Sequence, residues 1–296
     1  MPCFHPVKGF KGINGGIAFD TKHGYADFPM QVPCGRCTGC RVSYSRQWAA
    51  RCIHEAQTHQ ENCFVTLTYD DANLPTGGSL VPKHFTDFMK RLRRSISPKK
   101  VSFFHCGEYG DDYQRPHYHA LLFGHWFDDA NPIPGKSKSG KTQFRSATLE
   151  KLWGKGHCSI GAVTYQSAAY CSRYILKKKS LDSYERLDPS TGEIITLVRE
   201  YATMSVNPAI GKRWFESFGD EVFPDDFVIV DGKKHQVPRY YDKLLKRKEI
   251  TAHQHLKKDR KSSMHKPAVL ANSRPARLAA REAVLTSRIN LTKRDL

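Results

Sequence analysis

Hydrophobic and polar positions between residues 41 and 179 follow two periods, and each change of period marks a new element. From Arg41 to Gln60, the residues Trp48, Ala49, Cys52, Ile53 and Ala56 recur at three- and four-residue spacing. This is the stripe of an amphipathic helix, with Arg41, Arg46 and Arg51 off it as a solvated fringe. The run Cys63 to Tyr69 predicts a strand, followed by a turn-rich loop from Asp70 to Gly78. Pro82 suits the first turn of a helix through Arg94, with Phe85, Phe88, Met89 and Leu92 facing inward. The apolar runs Val101 to Glu108 and Pro116 to Gly124 predict an antiparallel hairpin that turns at Gly110-Asp111-Asp112. After a loop from His125 to Gln143 come a short helix, Ala147 to Trp153, a strand, His157 to Val163, and a helix from about Gln166 to Lys179. The order β-α-β-β-α-β plus a helix predicts an α+β fold, with a central antiparallel sheet of the split-βαβ, ferredoxin-like or RNA-recognition-motif-like kind. Such a fold does not assign a function.

The flanks are less regular. Residues up to about Met30 are rich in glycine and aromatic side chains and read as irregular, with short strands. Further on, Asp188 to Glu193 reads as a turn between two strands, the block from Asn207 to Phe215 starts a helix, and Phe227 to Val230 reads as a strand entering a hairpin turn. The last stretch predicts a helix near Tyr240 to Lys258 and then a mobile arm, because apolar content is low and no strand period is present. The expected division is a cysteine-rich extension and helix over 1–60, a core over 61–180, an extension over 181–248 and a basic tail over 249–296.

Charge narrows the partners. The chain carries a formal +18 with a pI near 9.5. From Gly232 to the end there are 18 Lys and Arg against 5 Asp and Glu. A polyanionic partner follows, although charge alone does not separate DNA, RNA, acidic membrane and ribosome. No run of eighteen apolar residues exists and the N-terminus has no signal-peptide core, so a cytoplasmic location is expected. Nine cysteines in such a chain argue for thiols or metal ligands before disulfides. Cys34, Cys37 and Cys40, at x-x spacing, are able to turn back on one ion, with Cys3 or His5 as the fourth ligand of a tetrahedral structural zinc. An iron–sulfur site and plain reduced thiols are the alternatives.

Two stretches carry candidate chemistry. In Arg115-Pro116-His117-Tyr118-His119-Ala120-Leu121-Leu122-Phe123-Gly124, strand alternation projects His117 and His119 to one face. Glu108, near the end of the preceding apolar run, comes within reach across the hairpin. Two imidazoles and a carboxylate make a divalent-metal site with coordination positions left open. In Tyr170-Cys171-Ser172-Arg173-Tyr174-Ile175-Leu176-Lys177, helical spacing sets both phenols on one face with Lys177 three residues beyond. An amphipathic helix with half-buried tyrosines is the bland reading of that segment.

Together these stretches resemble the HUH endonuclease superfamily, whose marks are a His-hydrophobic-His strand and a helix bearing nucleophilic tyrosine. Its third mark, an upstream strand rich in threonine and apolar residues, is matched by Phe64-Val65-Thr66-Leu67-Thr68-Tyr69. The pair Tyr170 and Tyr174 is similar to the two-tyrosine subgroup that initiates rolling-circle replication. Met1 to Pro6, Pro33 to Arg41 and Cys106 to Gly110 further resemble the replication initiators of gokushovirus-type Microviridae phages. The likeness extends from the N-terminus to about Lys248.

This resemblance implies a metal-dependent enzyme that nicks and rejoins single-stranded DNA at a viral origin. His117, His119 and Glu108 would hold Mg²⁺ or Mn²⁺, Tyr170 and Tyr174 would attack phosphorus, and Lys177 would steady developing charge. The product implied is a 5′-phosphotyrosine link with a free 3′-hydroxyl that primes synthesis, with host helicase and DNA polymerase as further partners. Comparison with single-tyrosine relatives implies first cleavage at Tyr174 and termination at Tyr170, with the two roles able to exchange between rounds. Two rivals are a zinc-containing nucleic-acid-binding protein without catalysis, and a relaxase or transposase that uses one tyrosine.

Overall fold

The chain divides into two units, residues 1–44 with 251–296, and residues 45–250. The computed structural model describes residues 3–110, 114–135, 140–177, 185–187 and 192–292, including side chains except at 174–177 and 292. In the first unit, β1 (Val7–Gly12), β2 (Ile17–Ala18) and β3 (Gly24–Val32) form an antiparallel sheet in the order β2-β1-β3. The irregular opening expected from the sequence is therefore a regular sheet with a tight glycine turn between β1 and β2. These strands bury few of their side chains, so the period-two hydrophobic signal never develops. Helix α1 (Thr38–Gln57) begins at the cysteine cluster and continues into the second unit.

The second unit is organised on β4 (Asn62–Thr68), α2 (Pro82–Ser95), β5 (Ser102–Tyr109) and β6 (Pro116–Phe123). Next come β7 (Asn131–Pro132), β8 (Phe144–Arg145), α3 (Ala147–Trp153), β9 (Cys158–Gly161) and α4 (Tyr165–Lys177). A small pair, β10 (Glu185–Leu187) and β11 (Ile194–Thr196), flanks the expected turn, most of which lies outside the described residues. β12 (Tyr201–Met204), α5 (Lys212–Val222), the hairpin of β13 (Phe227–Val230) and β14 (Lys233–Gln236), and α6 (Arg239–Lys248) complete the unit. Seven strands make one sheet in the order β12-β5-β6-β4-β9-β8-β7, with every pairing antiparallel. The expected α+β class with a large antiparallel sheet is what forms. Strand β12, which the sequence reading does not separate, closes the edge beside β5.

Strand alternation sorts the core into two layers. Cys63, Val65 and Leu67 of β4, with Tyr118, Ala120 and Leu122 of β6, pack against Phe85, Phe88, Met89 and Leu92 of α2 and Leu149 and Trp153 of α3. Each large side chain withdrawn there contributes about 1.5–3 kcal/mol of burial free energy. Helix α3 is capped by Ser146, whose Oγ accepts from the Leu149 amide at 3.0 Å, and ends at Gly154 in the left-handed region. His105 also lies in this layer, stacked on Phe85 at 3.6 Å; burial pushes its pKa down to about 3, making it a neutral core residue.

The opposite layer uses small side chains, which let helices approach the sheet closely. Ala49 and Cys52 of α1, Ala168 and Cys171 of α4, Cys106 of β5 and Ala202 of β12 form one buried cluster with Phe104, Leu121 and Phe123. Here the fringe assignment of Arg51 is corrected. Its guanidinium is buried between the rings of Trp48 (3.9 Å) and Tyr240 (4.1 Å), and its Nε and Nη2 donate to the Ile210 carbonyl at 3.1 and 2.9 Å. Glu55, on the same helix, accepts from the Gly211 amide at 2.7 Å, so α1 is tied to the loop before α5 by buried polar bonds.

The basic C-terminal stretch is helical. α7 (Ile250–Met264), α8 (Pro267–Asn272) and α9 (Pro275–Thr292) replace the expected arm, and the helix predicted across Tyr240 to Lys258 is broken at Glu249, which has extended backbone angles. Among the described residues no helix is long and apolar enough to cross a membrane.

Candidate metal and tyrosine site

The hairpin β5–β6 sets the site by register. Glu108 faces His117 directly and Cys106 faces His119, while Thr66 and Thr68 of β4 face His119 and His117 from the other side. All these side chains share the sheet face covered by α4. His119 Nε2 lies 2.8 Å from Glu108 Oε1, and His117 Nε2 lies 3.8 Å from the same oxygen. One ligand atom from each of the three residues lies within 4.8 Å of the others.

Glu108 is almost wholly withdrawn from water, its side chain 2% exposed, against 19% for His117 and 11% for His119. A carboxylate so placed needs compensating donors or a cation. The donor set is two borderline nitrogens and a hard oxygen on one face, with His117 Nδ1 buried and lacking a hydrogen-bond partner among the described residues. These residues fit a divalent ion such as Mn²⁺ or Mg²⁺ with further positions open. Burial, and after it the neighbouring His119, holds the His117 pKa below its usual value, which favours the neutral, ligating imidazole.

Three residues that the sequence reading did not assign to the site support it. Thr66 Oγ1 sits 3.0 Å from His119 Nδ1, where its hydroxyl would accept the Nδ1 proton and orient the ring when Nε2 coordinates an ion. Phe64 stacks on the His119 ring, with centroids 5.5 Å apart and planes within 5°. A Cβ on Gly110 would come within 2.7 Å of His117 Cε1, so only glycine there leaves room for that ring. Alternation along β4 already places Thr66 and Phe64 on one face; the close approach at Gly110 has no sequence signal.

Tyr170 is brought to the site. Its hydroxyl donates to Glu108 Oε1, and its ring meets that of His119 edge-on at 5.1 Å. The Arg173 guanidinium stands 5.8 Å from the Tyr170 ring centroid. Helix α4 reaches this position because Ala168, Cys171 and Ser172 are fully buried against the sheet. The side chains of Tyr174 and Lys177 lie outside the described residues.

The cysteine group forms in the other unit. Sγ atoms of Cys3, Cys34, Cys37 and Cys40 lie within 4.8 Å of one another, and Cys3 to Cys37 measures 3.9 Å. A tetrahedral ion with ~2.3 Å zinc–sulfur bonds would hold sulfurs about 3.8 Å apart, so the group fits zinc. Backbone amides point at the sulfurs, from Cys34 to Cys3 (3.2 Å), from Phe4 to Cys37 (3.4 Å) and from Cys37 to Cys34 (3.3 Å). Burial pushes Cys40 up to about 12, whereas for Cys37 the raising effect of burial is outweighed by amide and thiol hydrogen bonds, which bring it to about 6. Between the two candidates for fourth ligand the geometry selects Cys3, since His5 Nε2 lies 2.7 Å from the Glu282 carboxylate.

A family model described as Replication-associated protein ORF2/G2P matches residues 62–179, the span holding Thr66, Glu108, both histidines and Tyr170. The chain is similar over most of its length to Replication-associated protein ORF2 of Spiroplasma virus 4, with 33% identity over 247 residues, 79% of this chain and 73% of that protein. It is similar to Replication-associated protein VP4 of Bdellovibrio phage phiMH2K, with 30% identity over 256 residues, covering 83% and 78%. A third relative is Replication-associated protein ORF4 of Chlamydia phage 1, 30% identical over 236 residues, covering 77% and 57%. No solved structure matches. A match that centres on the sheet carrying the histidine pair and continues through both flanks makes this chain a member of the replication-associated protein family of small Microviridae-type phages.

Proposed function

We propose that the protein is the phage's replication initiator and acts as an HUH-type endonuclease that nicks and rejoins single-stranded DNA at the viral origin. The observation that carries this reading is the convergence on Glu108 of His117, His119 and the Tyr170 hydroxyl. The strand order β5-β6-β4-β9, with α2 and α3 on one side, supports the ferredoxin-like frame of that superfamily. On this reading residues 61–180 carry the chemistry and 181–248 complete their sheet.

When bound by His117, His119 and Glu108, Mg²⁺ or Mn²⁺ supplies Lewis-acid polarisation of the phosphate. The chain's own residues do the rest. The hydrogen bond from Tyr170 to Glu108 holds the phenol beside the site, so attack needs little reorientation. The phenolic oxygen forms a bond to phosphorus as the bond to the 3′ oxygen breaks; the phenol loses its proton and the departing oxygen gains one. Tyr174, one helical turn from Tyr170, serves as the other nucleophile, and Lys177 with Arg173 offsets negative charge on the phosphate. The link stores the bond energy needed for rejoining, so no nucleotide is consumed. The released 3′-hydroxyl is extended by host polymerase as host helicase opens the duplex, in the cytoplasm of the bacterial host.

The test uses a pool of single-stranded oligonucleotides, labelled at the 3′ or 5′ end and incubated with the protein and Mn²⁺. The 3′ label is expected in a denaturation-resistant protein adduct and the 5′ label in shortened free DNA. Tyr170→Phe with Tyr174→Phe together should abolish the adduct, and each single change should leave some. DNA binding without any adduct would favour the non-catalytic zinc protein, and an adduct confined to one tyrosine would favour a single-tyrosine enzyme.

Thr66 gives a second expectation. Thr66→Val keeps the side-chain shape but removes the acceptor for His119 Nδ1, and Mn²⁺ affinity should fall about 10- to 100-fold, with Thr66→Ser restoring it. Electron paramagnetic resonance titration of Mn²⁺ reads this directly; equal affinity in the valine variant would show that Thr66 does not orient the ligand.

A further inference from the structure

The β1–β3 sheet turns an unusual set of side chains to solvent. Phe19 is 64% exposed, Phe28 58%, Ile17 50% and Tyr25 45%. Register places Ile17 and Tyr25 on one surface, since Lys11 pairs with Ile17 on one side and with Tyr25 on the other. The pairing of β1 with β3 shifts between Phe10 and Lys11, skipping the residues between Tyr25 and Pro29, and Phe28 lies in that bulge. Its ring meets Tyr25 edge-on at 6.3 Å and has Lys11 Nζ 5.6 Å from its centroid. At Gly9, two residues before Lys11 on the same strand face, a Cβ would lie 3.0 Å from Ile17 and 3.8 Å from Phe19, so the bare backbone seats both side chains.

Three exposed rings and a lysine on one small sheet cost solvation free energy in the isolated protein, and such a patch marks an interaction surface. Charge indicates the partner. Residues 1–44 and 251–296 contain 16 Lys and Arg against 5 Asp and Glu, so this unit holds +11 of the chain's +18 in under a third of its length. A partner with flat apolar groups and a dense negative backbone satisfies both features. Unpaired DNA has both, whereas duplex DNA keeps its base faces stacked inside.

We propose that the Ile17–Phe19–Tyr25–Phe28 face is a platform on which bases of single-stranded DNA stack, with the positive charge of the same unit attracting the phosphates. This deepens the reading of the protein as a single-stranded DNA nuclease, and it assigns DNA holding to residues other than the metal and tyrosine residues. Stacking is tolerant of sequence, so the platform would grip the strand at the origin without selecting the nick site.

The test measures binding of the full chain to an oligo-dT strand by fluorescence anisotropy, with nicking followed separately. Phe19→Ala and Phe28→Ala should each weaken binding about tenfold, because loss of one base–aromatic stack has that order of effect. An abasic strand of equal length should bind wild type weakly and show no difference between wild type and variants. In Phe28→Trp, indole fluorescence should be quenched by oligo-dT. Nicking at saturating oligonucleotide should persist in both alanine variants. Unchanged affinity in both, with no quenching, overturns the proposal, as does an alanine variant that alters self-association and not DNA affinity. If wild type forms no covalent adduct but the binding pattern holds, the nuclease reading fails and the platform stands.

Discussion

His117→Ala and His119→Ala are each expected to slow covalent cleavage of single-stranded DNA by on the order of a thousandfold or more. Lewis-acid stabilisation amounts to several kcal/mol, and each ~1.4 kcal/mol is tenfold in rate. Fold and nonspecific DNA binding should hardly change. Both imidazoles lie toward the edge of the packed layer, 19% and 11% exposed, and removing either leaves Glu108 with its bond from Tyr170. Glu108→Gln keeps the shape and removes the charge, so it should weaken Mn²⁺ binding while the Tyr170 contact persists. The measurements are single-turnover adduct formation, Mn²⁺ titration and thermal unfolding on the same preparations. A double histidine variant that cleaves at the wild-type rate in the same metal would sink the assignment.

The grouping of Glu108, His117 and His119 is legible in the sequence because it rests on strand alternation and a short hairpin. Two histidines at i and i+2 share a face, and Glu108 follows once β5 and β6 pair across the turn. The apolar stripe of α2 was equally readable, since Phe85, Phe88, Met89 and Leu92 are all buried. What the sequence did not disclose depends on contacts distant along the chain. Arg51 looks like a solvated helix charge until Trp48 and Tyr240 are found on either side of it. β12 is a four-residue strand whose identity comes from the edge of β5 that it covers. The β1–β3 sheet gave no periodic signal because its outward face carries aromatic residues where a half-buried strand would carry polar ones. The same reversal of pattern that hid it from a sequence reading is what marks it as a surface with a partner.

The cysteine group should decide the stability of its unit. Cys3 precedes β1 and the other three sulfurs stand at the start of α1, so an ion there would join the two ends of the segment that contains the β1–β3 sheet. Few large side chains of that sheet are buried, and hydrophobic burial therefore contributes little to holding it. Structural zinc in small domains contributes roughly 10–16 kcal/mol of apparent binding free energy, enough to govern folding of such a segment. Purified protein is expected to contain one zinc per chain. Chelation, or Cys37→Ser, should strip hydrogen-exchange protection from residues 7–32 by several kcal/mol. Strands β4, β5 and β6 should stay protected, because their core is built from Val65, Leu67, Tyr118 and Leu122 and owes nothing to the ion. Nicking of a short oligonucleotide should then survive chelation that spares the catalytic metal, while the grip on longer single strands weakens. Protein free of zinc, with the exchange pattern over residues 7–32 indifferent to chelator, would show that the four thiols are held by backbone hydrogen bonds alone.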